Sequence, residues 1–134
     1  MTWSTRATTV EAVLLLGVSR VLLTLLTFPQ LVHLLSHPIS RPRPPTSASR
    51  DIEVVHQALL RIWRTGWLRD TCFHRAIAAH IMLRRRRVVT RFHYGAATRG
   101  DQKLTGHVWL TAGAIPVVGW DQSTQYPHLF EWGN

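Results

Sequence analysis

Apolar residues crowd the start of the chain, where VEAVLLLGVSRVLLTLLTF, residues 10 to 28, carries only Glu11 and Arg20 as charges. As a helix it would be about 28 Å long, close to the thickness of a bilayer core. Arg20 at the centre of a span would cost about 2.5 to 3.5 kcal/mol on insertion scales. Gly17, Arg20, Thr24 and Thr27 recur at helical spacing and form one weakly polar stripe, so the pattern predicts a packed or membrane-surface helix rather than a span. No small-residue cleavage site follows the run, which makes the cytoplasm, with membrane association through residues 10–36, the expected compartment. Pro29 interrupts the helix, and Leu31 to His37 continue as a short second piece. The stretch PISRPRPPTSAS, residues 38–49, favours extended or turn backbone.

Beyond it, Ile52, Val55, Leu59 and Ile62 mark one face of an amphipathic helix that Gly66 can stop. A second helix, 72–87, begins after Asp70 or Thr71 as cap and ends in Arg84 to Arg87, whose charge complements the helix dipole. The period then changes to alternation. In VVTRFHYGA, residues 88–96, Val88, Thr90, Phe92 and Tyr94 share one face and Val89, Arg91 and His93 the other. TRGDQKLTG, 98–106, reads as a loop, and HVWLT, 107–111, and AIPVVGW, 114–120, complete a three-stranded antiparallel sheet. Pro116 cannot donate to a ladder, so the third strand should be an edge strand or carry a bulge. The expected organisation is an apolar helical segment over 1–37, a Pro/Ser/Arg-rich linker over 38–50, and a folded domain over 51–134.

Composition narrows the function. A net charge of +9, with fifteen of the 16 cations being Arg, makes acidic partners plausible. A hydrophobic share of 46% excludes a disordered tail, and a lone cysteine excludes both a disulfide scaffold and a Cys-rich zinc site. His33 and His37 have the i, i+4 spacing of a metal pair but lack an evident third ligand. No metal or cofactor is expected.

Cys72 is the most informative position, because unpaired N–H groups and the dipole at a helix N-terminus favour a thiolate. Such a nucleophile needs a base and an orienting carboxylate. His107 begins a strand beyond the helix and Asp121 ends the next, so neighbouring strands could deliver both toward that helix end. His74, His80 and His93 could line the same cleft, and Trp109 should wall it or pack in the core.

TCFHRAIAAHIMLRRRRVVTRFHYG and HVWLTAGAIPVVGWD together resemble the transglutaminase-like cysteine peptidases that remove leader peptides in lasso-peptide maturation. The resemblance covers roughly residues 57–122. It implies an α+β fold, a papain/transglutaminase-like core in which the nucleophile helix packs on a small antiparallel sheet, preceded by an N-terminal helical segment. It also implies Cys72 as nucleophile, His107 as base and Asp121 as third triad member. Arg87 and Val89 stand where the family commonly has Gly and Pro. The implied partners are a precursor peptide of leader plus core, a separate leader-recognition protein, and an ATP-dependent macrolactam-forming cyclase; nucleic acid is not expected. Two other functions stay open: a noncatalytic basic module engaging nucleic acid or lipid through Arg84 to Arg87, and a transglutaminase-like acyltransferase.

Overall fold

The computed structural model describes residues 3–44, 48–65, 72–98, 104–113, 115–118 and 128–133. Among them, four helices precede four strands: α1 (Trp3–Leu25), α2 (Phe28–Leu35), α3 (Ser49–Thr65), α4 (Cys72–Arg85), β1 (Arg91–Thr98), β2 (Leu104–Ala112), β3 (Ile115–Val118) and β4 (His128–Gly133). The sheet is antiparallel, with order β3-β2-β1-β4. This is the expected α+β architecture.

α4 forms the centre of the molecule. Its residues Ala76, Ile77, Ala78, Ala79 and His80 are all buried, as befits a helix covered on every side, and the alanines let neighbouring backbones come close. Helices α1 and α3 pack on it, and so do β2 and β3 of the sheet. One apolar cluster runs through all of these layers, from Leu16 of α1 and Val55 and Leu59 of α3 to Phe92 of β1 and Leu110 of β2. Ile52, Val55, Leu59 and Ile62 are the buried face of α3, as their spacing predicts. Pro29 lies in the first turn of α2, where its missing N–H costs nothing, and the Thr27 N–H donates to Gln30 Oε1 at 3.0 Å.

The chain reverses direction after α4 in a tight C-terminal cap. The Val88 N–H reaches the Leu83 carbonyl at 2.9 Å and the Arg87 N–H reaches that of Arg84 at 3.0 Å, the two bonds of a Schellman motif. Arg87 takes the left-handed conformation at φ 60°, where glycine is free of steric cost. A non-glycine residue therefore makes the turn, at some cost in strain.

Two features of the sheet differ from expectation. β2 begins at Leu104, and Ala96 to Thr98 pair with Gly106 to Leu104, so the hairpin claims both ends of the segment read as a loop over 98–106. Small and polar residues there mask the pairing, because strand propensity is weak beside tertiary context. β4 adds a fourth strand beside β1, pairing Trp132 with Phe92 and Phe130 with Tyr94. β3 is an edge strand, and its register with β2 shifts beside Pro116, in keeping with the missing donor.

Candidate active site

Cys72 is the first residue of α4, whose first turn contains no acid. The N–H groups that a helix leaves unbonded at this end are thus not answered by a carboxylate of the helix itself. Arg75, three residues on, stacks its guanidinium on Trp63 of α3 at 5.3 Å, bracing the junction between the two helices. Asp70 and Thr71, the expected caps, lie outside the described residues.

The tight turn sends β1 back along α4. His80 meets Thr90 and Phe92, and Phe73, next to Cys72, meets both Phe92 and Trp132 at ring separations of 6.5 and 6.2 Å. From Cys72 to Arg85 the helix rises about 20 Å, and from Val88 to Gly95 the extended chain covers about 23 Å. The start of α4 and Gly95 are therefore at the same end of the layered core. Gly95 pairs with His107 of β2, which sets the His107 backbone at that end of the core. The side chains of both residues, and Asp121 altogether, lie outside what is described. β3, which ends three positions before Asp121, is held by His56 of α3, whose Nδ1 donates to the Val117 carbonyl at 2.5 Å.

Other histidines divide clearly. His80 is buried in α4, with Nδ1 at 2.6 Å from the Thr90 hydroxyl. Burial first, then the charge of Arg84, lowers its pKa to about 4 against the opposing pull of a Leu35 backbone hydrogen bond. It is a neutral core group, not a cleft base. His93 stacks on Trp109 with ring centroids 5.6 Å apart and places Nε2 at 2.8 Å from the Thr111 hydroxyl. Trp109 is buried, yet strand alternation sets it on the side of β2 opposite Val108 and Leu110 of the main cluster. His37 places Nδ1 at 3.1 Å from the His33 and Leu34 carbonyls and so caps α2. Among the described residues no three His, Cys, Asp or Glu side chains gather as a metal site.

Periodicity could not reveal the Arg75–Trp63 stack, the His56 tether or the His93–Thr111 bond. Each joins residues from different elements and depends on the tertiary arrangement alone.

A family model for the transglutaminase-like superfamily matches residues 12–131. The chain belongs to the transglutaminase-like superfamily. The match begins inside α1 and ends inside β4, so it takes in the N-terminal helices and the strand that sequence patterning overlooked. Transglutaminase-like domains are typically cysteine-dependent enzymes, and membership is consistent with a cysteine protease or an acyltransferase. No curated protein and no solved structure matches the chain.

Proposed function

We propose that this transglutaminase-like protein is a cysteine endopeptidase that cuts the leader from a ribosomally made lasso-peptide precursor. The observation that carries the proposal is the position of the chain's one cysteine, at the N-terminus of a buried central helix in a fold of this superfamily. Cys72 attacks the carbonyl at the leader and core junction, and His107 accepts the thiol proton. Asp121 orients the imidazole. The tetrahedral oxyanion collapses to an acyl-enzyme as His107 protonates the leaving amine, and water then releases the leader. The freed core amine becomes available to a separate ATP-dependent cyclase. A separate leader-recognition protein presents the precursor, and the enzyme works in the cytoplasm.

An acyltransferase forms the same acyl-enzyme but passes it to an amine. The basic binding module draws less support, because three of its four arginines have partners within the chain. Arg84 donates to the His37 carbonyl at 2.5 Å, and Arg85 and Arg86 both hold Glu11.

The test incubates purified protein with a precursor peptide and its leader-recognition protein, with and without an added amine, and reads product masses. Hydrolysed leader, absent with folded Cys72→Ala and at most a trace with His107→Ala, supports the peptidase. Asp121→Asn should keep partial activity, since an amide can still hold the imidazole by a hydrogen bond. Amine-coupled leader as the dominant product identifies the acyltransferase instead. Wild-type cleavage by folded Cys72→Ala would overturn cysteine catalysis.

A further inference from the structure

α1 has two apolar sides. Ala12 and Leu16 are buried against the domain at 0 and 1% exposure, beside Ser19, whose hydroxyl donates to the Leu16 carbonyl. Val10, Leu14, Val18, Val21 and Leu25, at helical intervals of three and four, form an outward stripe with exposures of 58, 65, 43, 54 and 73%. No charged residue interrupts that stripe. Gly17 adds to it, with open space where a Cβ would stand.

The rim of the stripe is cationic. Glu11 borders it on one side, and its carboxylate is held by Arg85 and by Arg86, the latter at 2.8 Å. Two guanidinium groups therefore answer one carboxylate at that edge, and Arg85 remains 64% exposed. Arg6 stands one turn before Val10 and is exposed. The whole chain carries a net charge of +9.

We propose that the outward face of α1 docks in the interfacial layer of an anionic bilayer, with the helix axis along the membrane plane. The stripe enters the boundary between headgroups and acyl chains while the rim arginines meet lipid phosphates. By length and composition α1 could cross a membrane. Its other face, however, is packed on α3 and α4, and its carboxylate is clamped to the end of α4, so a span would have to tear it from the domain. A second copy of the chain fits the stripe less well, because two chains of this charge repel and the rim offers no acidic complement. The inference is independent of the chemistry at Cys72.

Sedimentation of the purified full chain with vesicles tests it, using phosphatidylcholine alone and phosphatidylcholine with about a third phosphatidylglycerol. The expected result is binding to the anionic vesicles that weakens with salt. A Leu14→Asn/Val21→Asn double variant, confirmed folded by circular dichroism, keeps the charge and should bind at least about tenfold more weakly. Equal binding by wild type and variant would mean that charge alone holds the protein to lipid and would overturn the docking face. Absence of vesicle binding would overturn it too, whether the protein is monomeric or forms a dimer that the double variant dissociates.

Discussion

Lowering the pH should destabilise this protein through one buried side chain, His80. The residue is 1% exposed, and its ring packs against Phe92 with centroids 4.9 Å apart. Burial and Arg84 bring its folded pKa to about 4, below the ordinary 6.5 of the unfolded chain. Below pH 6.5 the unfolded chain takes up a proton that the folded protein refuses, so the stability held above 6.5 falls away as pH drops toward 4. Between neutral pH and pH 5 the two values imply a loss of about 2 kcal/mol. Urea unfolding at both pH values, for wild type and His80→Gln, isolates the effect, because glutamine cannot titrate. The wild type should lose about 2 kcal/mol more than the variant, a difference of roughly 1 M in urea midpoint. Equal losses in the two proteins would show that His80 does not resist protonation.

Arg87→Gly should raise the melting temperature by a few degrees, since removing left-handed strain of roughly 1 to 2 kcal/mol outweighs the extra freedom glycine gives the unfolded chain; a lower melting temperature would refute that account of the turn. Glu11→Gln should lower the melting temperature by several degrees, because the carboxylate is only 13% exposed and serves two arginines; an unchanged melt would show that α1 is held by apolar packing alone. Arg85→Gln should cost less than Arg86→Gln, the two side chains being 64% and 24% exposed, and the reverse order in thermal melts would make Arg85 the principal tether.

Sequence alone exposed the elements whose pattern is local. α3 declared itself through four apolar residues at helical spacing, and β1 with the stretch leading into it through the alternation that buries Val88, Thr90 and Phe92. β4 was harder to see, because its alternating His128, Phe130 and Trp132 acquire meaning only when Phe92 and Tyr94 lie beside them. The candidate site divides in the same way. Cys72 and His107 stand out through residue type and motif, whereas the stack of Arg75 on Trp63 and the grip of His56 on β3 arise from contacts between distant segments. Asp121 rests on motif alone, as it lies outside the described residues.

The arginine run shows how one sequence feature can serve the fold as well as suggest a partner. Four cations at a helix C-terminus do complement its dipole, but a solvated run would be equally good at that and free to bind a polyanion. Here three of the four guanidinium groups are tied to particular acceptors. Arg84 reaches the His37 and Pro38 carbonyls at 2.5 and 3.2 Å, while Arg86 joins Glu11 to the Met82 carbonyl. Arg43 completes the strap by bonding Asp51 at 2.6 Å and donating its backbone N–H to the Arg87 carbonyl at 2.8 Å. The end of α4 thereby fastens α1, the exit from α2 and the proline-rich stretch to the helix that begins with Cys72. A polyanion claiming Arg84 or Arg86 would have to break those contacts, so these two charges are better understood as part of the scaffold beneath the candidate nucleophile, while Arg85 stays 64% exposed at the rim of α1.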